Sequence, residues 1–180
     1  MTFLGPGSFA FMGTFQIPLY DKHDNVVAHA TVDEQDFARL SHLRFTALRT
    51  KSGIYGVQFR AVNGSTEATL LHRLVLGDPP FDGAEVDHRN RNTLDTRREN
   101  LRWVTHAQNL QNRPSQKNAT SAHRGVHWDR CEQRWVGEIR REGRRVWRRY
   151  FRDQLEAAVA VSAARRVFLP FSVENGVLAS

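Results

Sequence analysis

Asp87 and His88 stand side by side in EVDHRNRNTLDTRRENLRWVTHAQN, residues 85–109, with asparagines thirteen residues later at Asn100 and nine further at Asn109. An ionised carboxylate is a hard oxygen ligand of the kind Mg²⁺ takes, and a neutral imidazole can accept a proton from water near pH 7. Neighbouring side chains on an extended strand point to opposite faces, so the pair would address a metal ion and a water from different sides. The amide oxygen of Asn109 would complete the ligation beside Asp87, and the Asn100 amide would bridge the loop and orient His88. These are parts of a phosphodiester hydrolase. Asp, His and Asn are also common turn residues, so a polar surface loop with capping asparagines is the alternative reading of the same set.

Such side chains need elements to hold them. A short strand ending near Val86, a long polar loop, a second strand in NLRWVT and a helix in HAQNLQN would place all four. Upstream, TFQIPLY, NVVAHATV, RFTALRT and GIYGVQFRAV alternate apolar and polar residues between turn formers. They predict β-hairpins from Thr14 to about Asn63, with DEQDFARLSHL as one interposed helical turn or two. TEATLLHRLVLG has helix-compatible spacing and stops at Gly77, where DPP forbids continuation. Downstream of NRPSQKNATSAH, a polar stretch suited to a linker, RGVHWD, RWVGEIR and RRVWRRYF predict three strands. A helix follows in RDQLEAAVAVSAARRVF.

The chain has 180 residues, 40% of them hydrophobic, enough for a modest core, and a formal net charge of +7. Arginine supplies nearly all of the basic side chains, with only Lys22, Lys51 and Lys117 besides. Its planar fork suits phosphates and guanine edges, so a polyanionic partner is expected. No apolar run approaches the roughly 20 residues that span a bilayer, and MTFLGPGSFAFMG lacks the basic start and long apolar core of a secretory signal. The single cysteine, Cys131, excludes an intrachain disulfide and a multi-cysteine zinc site. The expectation is a soluble, cytoplasmic protein.

LHRLVLGD followed by VDHRNRNTLDTRRENLRWVTHAQNLQNR resembles the active-site region of the HNH endonucleases that occur free-standing or in introns of phage genomes. The resemblance implies a ββα-metal unit with His88 as general base, Asp87 and Asn109 as metal ligands, and Asn100 bracing the loop and the histidine. It implies hydrolysis with one Mg²⁺, or Mn²⁺, leaving a 3′-hydroxyl and a 5′-phosphate. Asn109 stands where many relatives carry histidine, and the paired zinc-ligand cysteines that staple many HNH proteins are missing, so no zinc-ribbon site is expected. Leu101 and Trp103 are expected to hold the unit by packing. His72 is a family feature with an expected structural role, whereas His106 reads as a surface residue. Arg89 and Arg91 are candidate DNA contacts, and Arg97, Arg98 and Arg102 are further candidates for holding the phosphate backbone.

Between Arg124 and Arg152 ten arginines face four acidic residues, interleaved with Trp128, Trp135, Trp147, Tyr150 and Phe151. Strand alternation would free one basic face to enter a groove, although a solvated charged face has the same composition. The order of strands and helix over about Ser121 to Val173 resembles the Apetala/ethylene-response-factor DNA-binding domain of plants, which also occurs fused to phage HNH endonucleases. Carried over by position, the candidate DNA contacts are Arg124, His127, Glu138, Arg140, Arg145 and Trp147. Trp135, Ala157, Ala158, Val161 and Ala164 are expected in its core.

The expected fold is α+β: a β-rich region over 1–65, an HNH ββα-metal nuclease over 66–113, a linker over 114–122, a three-stranded antiparallel sheet packed on one helix over 123–173, and a tail over 174–180. The β-rich region reads as a scaffold or an accessory DNA contact. The expected function is a site-targeting, metal-dependent endonuclease of the homing type acting on double-stranded DNA, without a membrane partner. If phage-encoded, it would act in the host cytoplasm. A DNA-binding regulator with a decayed nuclease unit and an RNA-directed nuclease are the competing readings.

Overall fold

The computed structural model describes residues 13–112 and 120–172. The stretch at 1–12, most of the expected linker and the tail at 174–180 lie outside the described residues. The described chain is α+β, with strands outnumbering helices ten to four. By their contacts these residues form two compact units, one taking residues up to 80 together with 91–102, the other 81–90 together with those from 103 onward.

In the first unit, β1 (Thr14–Tyr20) and β2 (Val26–Asp33) make an antiparallel hairpin whose alternation buries Ile17 and Leu19 from one strand and Ala30 and Val32 from the other. The helix α1 (Glu34–Leu40) then returns the chain so that β3 (Phe45–Thr50) runs parallel to β1. Next, β4 (Gly53–Val62) and β5 (Ser65–Leu70) extend the sheet antiparallel, giving the order β2-β1-β3-β4-β5. Phe45, Val57, Leu71 and Val75 join the same buried core. Fully burying such a side chain contributes about 1.5–3 kcal/mol.

The segment TEATLLHRLVLG departs from the helix expected of it. Its first half is β5, and only Leu71–Leu76 forms a helix, α2, ending at Gly77. Pairing won over local periodicity because Asn63 and Gly64, both at positive φ, make a tight reversal that lays Ser65 beside Val62 and Leu70 beside Val57. The Asn-Gly pair was the signal for this hairpin.

The second unit contains β6 (Glu85–His88), the end of β7 (Leu101–Val104) from Trp103 onward, and α3 (His106–Gln111). β6 and β7 form a two-stranded sheet, and α3 packs on β6. Thr105 starts α3 with a capping box: its hydroxyl accepts from the Gln108 N–H, and the Gln108 side chain accepts from the Thr105 N–H.

The same unit holds β8 (Val126–Asp129), β9 (Arg134–Arg141) and β10 (Arg144–Phe151) as an antiparallel sheet with β9 central, and α4 (Gln154–Phe168) covers one face. Val126, Ala157, Ala158 and Val161 form the buried core of this module, with Trp135, Trp147 and Phe151 packed against it; Ala164 is only half-buried. Gly137 lets helix and sheet approach closely, since a Cβ there would lie 2.6 Å from Val161 and 2.8 Å from Trp147. Among the described residues no helix is long and apolar enough to cross a membrane.

Candidate active site

Strand β6 carries Asp87 and His88, each only 5% exposed. Alternation puts Glu85 and Asp87 on one side of the strand and His88 on the other. Helix α3 meets the first of these sides with Asn109 and Asn112, which are three apart and so share a helix face. The Asn112 amide donates to Asp87 Oδ1 at 2.8 Å, to the His88 carbonyl at 2.9 Å and to the Arg89 carbonyl at 3.4 Å. The Asn109 amide donates to Glu85 Oε2 at 2.6 Å. Thus the amide that touches Asp87 comes from Asn112, one turn beyond the asparagine singled out by spacing. His106, exposed as expected, closes the row with its Nδ1 2.8 Å from Glu85 Oε1.

Asn100 belongs to the first unit, where it is buried and donates through its side chain to the Asp95 carbonyl at 2.6 Å. That bond braces the loop 91–102 from within, and the N-terminal sheet braces it from outside. Thr31 on β2 receives the loop through its N–H, which donates to the Leu94 carbonyl at 2.7 Å, and through its carbonyl, which accepts from the Thr96 N–H at 2.8 Å. Thr93 donates to the Ile54 carbonyl at 2.8 Å. Arg98 forks onto the buried Asp36 of α1 with bonds of 2.7 and 2.9 Å, and its backbone N–H donates to Asp33. Arg97 pairs with Asp95 and with Glu99. The hydrogen bond to Asp95 holds the Arg97 guanidinium above its ordinary pKa despite the opposing effect of burial. Arg97 and Arg98 are therefore committed to holding the loop, where the sequence suggested phosphate contact.

Arg91 is half-buried with a left-handed backbone, φ 62°, while Arg89 is exposed in the second unit. His72, buried in α2, sets its ring against Tyr55 with centroids 5.6 Å apart. Leu101 is buried and Trp103 half-buried.

On this side of β6 and α3 the carboxylates of Glu85 and Asp87 and the amides of Asn109 and Asn112 make a mainly oxygen-donor set, which suits Mg²⁺ or Mn²⁺. Among the described residues no three His, Cys, Asp or Glu side chains gather as a metal-holding group. A Mg²⁺ site completed by substrate phosphate and water needs only one or two protein carboxylates, so the residues fit such an ion.

On the C-terminal sheet, register places His127, Glu138, Arg140, Arg145, Arg148 and Tyr150 on the face turned away from α4. Two of the expected contacts lie elsewhere. Trp147 packs on the helix side beside Phe151, because the irregularity between Arg145 and Trp147 shifts the alternation along β10. Arg124 donates to the carbonyls of Gln111 and Leu110 at 2.7 and 3.3 Å, satisfying the C-terminal end of α3. Glu138 accepts from Arg140 at 2.6 Å and pairs with Arg145 at 3.1 Å. Burial alone would raise its pKa, but the Arg140 hydrogen bond and the charges of Arg140, Arg145 and Arg148 outweigh this and hold it below its ordinary 4.5.

A carboxyl depressed in the folded state stabilises the fold fully above its unfolded pKa, and that contribution disappears as pH falls through the folded value. The Tm gap between wild type and Glu138→Gln should therefore stay constant from pH 7 down to about 4.5 and close below it. Parallel melting curves over pH 3 to 7 would check this; a gap that widened on acidification would contradict the assignment.

Residues 70–111 match the HNH endonuclease family. The HNH segment spans α2, β6, β7 and α3, and so includes Asp87, His88, Asn100 and Asn109. The match supports an HNH nuclease, hence a hydrolase with a nucleic-acid substrate. No curated protein and no solved structure matches the chain.

Proposed function

We propose that the protein is a metal-dependent DNA endonuclease of the homing type, with the HNH segment cutting and the outer face of the β8-β9-β10 sheet binding duplex DNA. The observation that carries this reading is the coincidence of the family match with a buried Asp87–His88 pair whose carboxylate and main chain are held by an amide from α3. His88 takes the proton from the attacking water. Asp87 and the amide oxygen of Asn109 would hold a single Mg²⁺ or Mn²⁺, and Asn100 keeps its own loop in place. When bound, the metal stabilises charge on the phosphate and on the leaving oxygen. His127, Arg140 and Arg145, with Arg148 added by the register, approach the DNA from the sheet, and Arg89 and Arg91 from the loop.

The division of labour follows the sequence modules: 66–113 cuts and 123–173 selects. Plasmid DNA incubated with the protein and Mg²⁺ or Mn²⁺ should be nicked or linearised, and EDTA should stop the reaction. Structured RNA in parallel should survive. DNA binding measured in EDTA should weaken steeply with salt, since several arginine–phosphate contacts release counterions. A metal-independent product, absence of any product, or preferential RNA cleavage would each defeat the proposal.

A further inference from the structure

We propose that Glu85 and Asn112 are positioning residues that orient the two metal ligands, Asn109 and Asp87; this rests on the ligand roles given under Proposed function. The two pairs join β6 to α3 in complementary senses. On one, a strand carboxylate, Glu85, meets a helix amide that is a ligand; on the other, a helix amide, Asn112, meets a strand carboxylate that is a ligand.

The chemistry of each partner determines the orientation. An ionised carboxylate only accepts hydrogen bonds, so the amide it meets must turn its NH₂ toward it. Glu85 therefore holds the Asn109 nitrogen at 2.6 Å and directs the Asn109 oxygen, the atom able to bind a cation, the other way. Without Glu85 the amide could rotate and offer its NH₂, which cannot ligate a metal. The NH₂ of Asn112 is fixed in the same manner, since it donates to oxygens at Asp87 Oδ1, the His88 carbonyl and the Arg89 carbonyl. It sets the rotation of the Asp87 carboxylate and ties down the main chain that carries His88. Asn112 is buried, and its place at the end of α3 is secured by the capping box at Thr105 and by Arg124 on the last carbonyls. Partners of this kind commonly contribute about 10- to 100-fold to metal affinity.

The test is a Mn²⁺ titration of the full-length protein without DNA, reading free Mn²⁺ by its electron paramagnetic resonance signal, alongside melting curves. Asp87→Ala and Asn109→Ala define loss of a ligand. Glu85→Ala and Asn112→Ala should each weaken Mn²⁺ binding about 10- to 100-fold. Glu85→Gln, which keeps an oxygen facing the Asn109 NH₂, should recover much of that loss. In cleavage assays the Glu85 variants should need more metal for half-maximal rate while approaching the wild-type rate at saturation. Wild-type Mn²⁺ affinity in folded Glu85→Ala and Asn112→Ala overturns the proposal. Should Asn112→Ala fail to fold, the Glu85 variants decide it, because Glu85 lies nearer the surface and holds no main chain through these bonds. Absence of Mn²⁺ binding in wild type, or undiminished binding in Asp87→Ala, instead defeats the ligand assignment itself.

Discussion

His88→Ala is expected to cleave DNA about 10²–10⁴-fold more slowly than wild type, the usual contribution of a positioned general base. DNA binding in EDTA should be unchanged, because the contacts assigned to binding lie on the C-terminal sheet and on Arg89 and Arg91. The expectation rests on placement: His88 is buried on a strand whose main chain is tied to α3 by Asn112, which fixes the backbone that carries its ring. Single-turnover rates at saturating protein would isolate the chemical step from binding. Added imidazole should restore part of the rate in the alanine variant, and His88→Gln, which fills more of the space, should remain slow. A fast alanine variant would remove His88 as the base; a slow one whose DNA binding had also collapsed would point to a structural role.

Arg98→Ala is expected to destabilise the first unit by about 3 kcal/mol, the lower end of the cost of breaking a buried ion pair, because Asp36 then keeps only the single bond from the half-exposed Arg39. Asp36 is only 1% exposed and receives two bonds from Arg98 and one from Arg39. Asp36→Ala should cost less, about 1–3 kcal/mol, because both arginines are partly exposed and regain water when the carboxylate is gone. This ordering is opposite to what burial of the mutated residue alone would suggest. Urea midpoints of the two variants measure it, and an equal or reversed order would mean that Asp36 is stabilised by something other than these arginines.

Much of the fold could be read from residue patterns. Alternation located β1 to β4 and β8 to β10, and HAQNLQN was read as the helix that is α3. The N-terminal region was read only as a scaffold or an accessory DNA contact, yet it holds the loop 91–102 through Thr31, Asp33, Asp36 and Ile54. No local pattern announces such bonds, because their partners lie up to 65 residues apart. For the same reason Arg97 and Arg98 looked like phosphate contacts: an arginine committed to a distant carboxylate has the same sequence neighbourhood as one that is not.

What the sequence alone determined is the set of chemical groups and their order: Asp87, His88, Asn100 and Asn109, on a short strand, a loop, a second short strand and a short helix. Local spacing suffices for this because each element is short and its side-chain period is set by the backbone. What only the tertiary structure decided is who touches whom: Asn112 and not Asn109 on Asp87, Glu85 on Asn109, Arg124 on the end of α3, and Trp147 on the helix side of its sheet. Those pairings depend on register, on an irregularity in β10 and on how α3 is rotated against β6. Packing sets all three, and none is encoded in the neighbours along the chain.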